Sequence, residues 1–99
     1  MAKEEVFPIN IWINEERYEK LQKAGLSDMA EEVFAGLKRL QVPANEEQKD
    51  AILNKFPMAK YDSATTRSIE LLPREVKDRI FDLVVEKRSL DIINTFLKS

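Results

Sequence analysis

From Phe7 to Asn14 the chain alternates apolar and polar residues without a break, Phe-Pro-Ile-Asn-Ile-Trp-Ile-Asn, and then passes into a charged helical pattern at Glu15. A period of two puts Phe7, Ile9, Ile11 and Ile13 on one face of a strand and Pro8, Asn10, Trp12 and Asn14 on the other. No other segment reads as clearly extended, so this strand has no evident partner within its own chain. Its main-chain donors and acceptors must still pair once the isoleucine face is buried. The simplest partner is the same strand of a second copy, which predicts a homodimer joined by a two-stranded ribbon. Pro8 is compatible with that arrangement, because each strand of a ribbon keeps one free edge.

The rest of the chain is read as helical. Asn14 is a good N-cap, with Glu15 and Glu16 in the first turn, and a first helix carrying Tyr18 and Leu21 should end near Ala24-Gly25, where glycine can take the left-handed cap conformation. Ser27 or Asp28 then caps a second helix, whose apolar stripe is Met29, Ala30, Val33, Phe34, Leu37 and Leu40, and Pro43 ends it. Asn45-Glu46-Glu47-Gln48 opens a third helix with Ala51, Ile52 and Phe56, closed by Pro57. Residues 57–63 read as loop, and residues 63–72 fit a short helix or an extended piece, with the helix preferred. A final helix begins at Pro73 and runs through Val76, Ile80, Leu83 and Val84, and Ser89 caps a last one bearing Leu90, Ile93, Phe96 and Leu97.

Composition narrows the function more than the fold. The 99 residues are 43% apolar and 34% charged, with two glycines and four prolines, the balance of a helix-rich globular domain rather than a disordered chain. With no cysteine and no histidine, thiolate chemistry, disulfides and the commonest general base and metal ligand are excluded. No Gly-rich phosphate loop or serine elbow is present, so the chain reads as a non-enzyme with no cofactor. The acid pairs Glu15/Glu16 and Glu31/Glu32 read as first-turn acids and solvated faces rather than a dyad or metal site. No apolar run reaches membrane-spanning length and the acidic start is unlike a signal peptide, so a cytoplasmic location without membrane contact is expected. The net charge of −2 argues against coating nucleic acid through a broad basic surface.

The strand of Ile9, Ile11 and Ile13, the Asn14-Glu15-Glu16 helix start, and Gly25-Leu26-Ser27 leading into Asp28-Met29-Ala30-Glu31-Glu32-Val33 together resemble the N-terminal half of the ribbon-helix-helix family of DNA-binding proteins. The resemblance implies a mainly α fold in which the N-terminal strand pairs across a dimer. Residues 1–43 would be a dimerisation and DNA-binding segment, and residues 44–99 a helical extension for further assembly or partner binding. It also implies that the ribbon enters the major groove with Asn10 and Trp12, flanked by Asn14, on base edges, and that the amides near Ser27 meet a phosphate. Ile9, Ile11, Ile13, Val33, Phe34 and Leu37 would then form the dimer interface.

Two functions follow. The first is a small dimeric DNA-binding transcription regulator of bacterial, plasmid or phage type acting on double-stranded DNA. The second is a non-enzymatic protein-binding module, an inhibitor or adaptor, that docks another protein through the Trp12 strand by adding to a sheet edge. The sequence pI of about 5.2 fits the second better; only the inferred architecture favours the first.

Overall fold

The computed structural model describes residues 6–62 and 68–98. Strand β1 spans Ile9–Ile13 and helix α1 Glu15–Lys23. A single 3-10 turn at Ser27–Met29 leads to β2 (Glu31–Phe34) and β3 (Leu37–Val42), after which come helix α2 (Glu46–Lys55), β4 (Lys60–Asp62), β5 (Ser68–Glu70), α3 (Arg74–Lys87) and α4 (Ile93–Lys98). The five strands form one mixed sheet in the order β2-β3-β1-β5-β4.

The first strand lies where its alternation predicts, but its surroundings overturn the ribbon. β1 runs antiparallel to β3, with Ile9 opposite Val42, Ile11 opposite Leu40 and Ile13 opposite Lys38, and parallel to β5, with Ile9 opposite Ile69. Ile69 N–H donates to the Pro8 carbonyl at 2.9 Å. β1 therefore has a neighbour from the same chain on each side, β3 along its length and β5 at Ile9, in place of a second copy of β1. The fold is α+β with a five-stranded sheet, not a mainly α protein built on an intermolecular strand pair. Because β5 pairs with β1, the sheet also crosses the division at residues 43 and 44.

The isoleucine face is the seam of the core. Ile9 and Ile11 are fully buried and Ile13 nearly so, together with Leu40, Val42 and Ile69 from the flanking strands. Leu21 of α1, Ile52 of α2, Ile80, Phe81, Leu83 and Val84 of α3, and Ile93 and Phe96 of α4 close over that face as one cluster. Burying an isoleucine completely stabilises a fold by about 1.5–3 kcal/mol, so β1 is held by its own subunit.

The helices obey local rules at their ends. Asn14 Oδ1 accepts from Arg17 N at 2.8 Å, which caps α1. At the other end Leu26 N–H donates to the Leu21 carbonyl at 2.7 Å and Gly25 N–H to the Gln22 carbonyl at 3.0 Å, the paired bonds of a Schellman ending that needs a left-handed residue; Gly25 has φ +75°. α2 opens on a full capping box, in which Asn45 Oδ1 accepts from Gln48 N at 2.8 Å and Asn45 N donates to Gln48 Oε1 at 2.9 Å. Pro73 precedes the first turn of α3, and Ser89 Oγ accepts from Asp91 N at 3.0 Å ahead of α4.

The second helix does not form. Residues 31–42 make a hairpin instead, with Phe34 opposite Leu37 and a two-residue turn at Ala35-Gly36 where Gly36 has φ +75°. Val33, Phe34, Leu37 and Leu40 do fall at helical spacing, yet Leu40 and Val42 also alternate with polar Arg39 and Gln41. Pairing Leu40 and Val42 against Ile11 and Ile9 buries them completely. Tertiary burial decides between two local patterns of similar merit. Residues 60–62, read as loop, form β4, and residues 68–70 form β5 rather than a helix; the remainder of that helical reading, residues 63–67, lies outside the described residues.

Since Ile11 is buried between β3 and the helices, Ile11→Ala should destabilise the chain by about 2–5 kcal/mol. Urea unfolding followed by circular dichroism should show a lower midpoint. A loss below about 0.5 kcal/mol, the range of an exposed site, would contradict a central position for β1.

Candidate functional site

The alternation that buries the isoleucines fixes what projects from the other face of the sheet. Trp12 stands opposite Arg39, and Asn10 opposite Gln41. Leu37 lies two residues from Arg39 on the same face of β3, and Phe34 lies opposite Leu37 on β2. Trp12, Leu37 and Phe34 thus step outward across β1, β3 and β2, toward the terminal strand. They are 48%, 46% and 75% exposed, and Val33 beside them is 42% exposed. Four of the seven large apolar side chains found exposed among the described residues gather at this one corner. Scattered exposed apolar residues need no explanation, whereas a contiguous group of them marks a contact surface.

Polar groups frame the apolar step. Gln41 Nε2 donates to Asn10 Oδ1 at 3.0 Å, so these two amides satisfy one another. Arg39 Nη2 stands 3.9 Å from Glu31 Oε2, a loose pair, and Arg39 Nε is buried with no hydrogen-bond partner among the described residues. A buried guanidinium donor without an acceptor is costly. The outer face therefore carries an unmet donor beside an exposed tryptophan.

β2 is the terminal strand of the sheet, and all four of its residues are exposed. Half of its main-chain groups face away from β3. A one-residue shift in register between Glu32 and Phe34 bends this edge. On the helix side of the hairpin, Ile13, Asn14, Glu15, Tyr18, Glu32, Gly36, Leu37 and Lys38 line an open groove of about 470 Å³. The Lys38 ammonium sits 3.7 Å from the centre of the Tyr18 ring, a cation–π contact within that groove.

A second, polar cleft of about 220 Å³ lies where α1 meets α3, between Arg17, Lys20, Arg74, Asp78 and Asp82. Arg17 organises it. The guanidinium donates to the Trp12 carbonyl at 2.7 Å, pairs with the Asp78 carboxylate, and lies over the Phe81 ring at 5.8 Å. The hydrogen bond from Arg17 is the largest effect and holds the Asp78 carboxyl below its ordinary range; burial opposes it, and the charges of Arg17, Arg74 and Lys20 add to the lowering. This cleft is a tie between elements, because its central cation is spent on protein acceptors. Among the described residues no group of three or more acids converges in a manner suited to a metal ion.

The residues singled out in the sequence are thereby redistributed. Asn14 caps α1 and Ser27 begins the 3-10 turn that leads into β2. Ile9, Ile11 and Ile13 belong to the subunit's own core, while Val33, Phe34 and Leu37 are exposed on a hairpin instead of a helix. Arg39 was not anticipated. Its signal was available in the alternation Leu37, Arg39, Gln41, once Ala35-Gly36 is taken as a turn. No described helix is long and apolar enough to cross a membrane.

The depressed carboxyl of Asp78 has a consequence for acid stability. A group whose folded value lies below its unfolded one contributes stability above the unfolded value, near pH 3.9, and loses it as pH falls through the folded value. Wild type should therefore exceed Asp78→Asn in urea midpoint at neutral pH, and the gap should close on acidification below about pH 4. A gap that stays constant down to pH 2 would mean that the Arg17–Asp78 pair has no part in holding α1 to α3.

A family model described as a family of unknown function (DUF6955) matches residues 7–97, a span that takes in every strand and both surfaces described above. No curated protein and no solved structure matches the chain.

Proposed function

We propose that this chain, which belongs to the DUF6955 family of unknown function, is a non-enzymatic protein-binding module that takes another polypeptide at the corner formed by Trp12, Leu37, Phe34 and the free edge of β2. The observation that carries this reading is the convergence of exposed apolar side chains on a terminal strand whose outer edge is unpaired among the described residues. Edge strands are usually shortened, covered or charged, because they template pairing with other chains. A three-quarters exposed phenylalanine on such a strand is unfavourable for an isolated domain and useful for one that docks.

The role of the first strand differs from a simple docking edge. β1 is paired on both sides, so Trp12 contributes a side chain to the outer face, and main-chain pairing falls to β2. Tryptophan and arginine are the residues most enriched at the energetic centres of protein interfaces, and here Trp12 and Arg39 face each other across one ladder position. The near-balanced charge of the surroundings, with Glu31, Glu32 and Glu15 against Arg39 and Lys38, suits a polypeptide better than a polyphosphate backbone, which demands a net positive field.

The test places a photoreactive phenylalanine analogue at position 34, and in a control chain at the exposed Met58, in the source cells. A defined adduct from position 34 and not from 58 is expected. With that adduct's partner purified, Trp12→Ala should weaken binding by about tenfold or more while leaving the unfolding midpoint within about 0.5 kcal/mol of wild type. Equal labelling from both positions would overturn the reading. So would quenching of Trp12 fluorescence by an oligonucleotide with steep salt dependence, which would move the function to nucleic acid.

A further inference from the structure

The charges around β2 specify the partner more closely, on the premise of the interaction-module reading. Glu31 and Glu32 are adjacent on the terminal strand and point to opposite faces, since Glu31 is opposite Arg39 and Glu32 opposite Lys38. The free edge is therefore acidic on both of its faces. Glu15 adds a third carboxylate to the wall of the groove on the helix side. The balancing cations lie one strand further in: Arg39 is only loosely paired with Glu31 at 3.9 Å, and Lys38 sits over the Tyr18 ring.

We propose that the occupant of the β2 edge is an extended segment of another protein in which apolar residues alternate with lysine or arginine, added to the sheet as a sixth strand. Its apolar side chains lie on the outer face against Phe34, with Leu37 and Trp12 behind. Its basic side chains lie on the helix side, where they meet Glu32 and Glu15, and Glu31 adds negative charge to the same edge. The Tyr18 ring is taken by Lys38, so the groups of the groove that suit an incoming cation are the carboxylates of Glu15 and Glu32. A second copy of this chain fits the edge badly, because pairing β2 with β2 concentrates four carboxylates on one two-stranded ladder, and the bend at Val33 opposes a flat self-pairing.

The test titrates the full chain, labelled with nitrogen-15, with synthetic peptides of about eight residues: alternating lysine and valine, alternating glutamate and valine, and alternating lysine and serine. The lysine–valine peptide is expected to shift and protect the amides of residues 31–37, to bind about tenfold or more tightly than either other peptide, and to weaken with added salt. The double variant Glu31→Lys with Glu32→Lys should reverse the charge preference, and Phe34→Ser should weaken the lysine–valine peptide by about tenfold without unfolding the chain. Equal or tighter binding of the glutamate–valine peptide would overturn the proposal. Protection of the same amides without peptide, with a doubled mass in light scattering, would overturn it in favour of a second copy. If no peptide perturbs residues 31–37 while the adduct at position 34 persists, the partner's chemistry is wrong and the module reading stands.

Discussion

The placement of β1 between β3 and β5 is the constraint from which the remaining geometry follows. Its antiparallel register with β3 sets where Leu40 and Val42 enter the core, and the same register carries Arg39 and Gln41 to the other face beside Trp12 and Asn10. Its parallel contact with β5 brings Ile69 onto the isoleucine seam and draws the C-terminal half over the N-terminal half. Parallel neighbours need a long connection between them, and here that connection includes the hairpin and α2. The strand is thus the point at which the sheet's two halves join.

The same strand also positions α1. Asn14 ends β1 and caps the helix within one residue of Ile13, and Arg17, one turn later, reaches back to the Trp12 carbonyl and across to Asp78 of α3. A helix of nine residues would be marginal on its own. Leu21 in the core, the Arg17 tie and the paired bonds at Gly25 hold it against the sheet, so the groove between α1 and the hairpin has one firm wall. Its other wall is the β2–β3 hairpin, whose outer strand buries nothing.

Helix boundaries were legible in the sequence because their causes are local. Asn14, Gly25, Asn45, Pro57, Pro73 and Ser89 act through side chains or backbone angles within a few residues of themselves, and the structure uses each at a helix end or next to one. The sheet was not legible for the opposite reason. β4 and β5 are three residues each, too short to display a period of two, and β5 is recognised only by a partner near the other end of the chain. In residues 31–42 two periods coincide on Val33, Phe34, Leu37 and Leu40, and only the burial of Leu40 and Val42 against β1 breaks the tie. The inference of a missing strand partner was sound physics applied to an incomplete inventory of strands. Of the site, Trp12, Val33, Phe34 and Leu37 were picked out as contact residues, but on a helix and a ribbon instead of one face and edge of a sheet.

The corner at β2 departs from the economy of the rest of the chain. Elsewhere most apolar residues enter the core, with Val6, Met58 and Leu71 as isolated exceptions, and α1 and α2 open on side-chain caps, so local preference and global packing largely agree. β2 carries two features that discourage indiscriminate pairing, adjacent acids and a bend in register, and one that invites contact, Phe34 at 75% exposure. Protection against self-association alone would favour a polar residue at position 34, since a two-residue turn needs nothing apolar before it. Folding alone gives no reason for it either, because no residue of β2 enters the core cluster. An edge that is charged against its own kind and yet apolar at one position is selective, and selectivity by repulsion of the wrong partner is how interfaces of modest area discriminate.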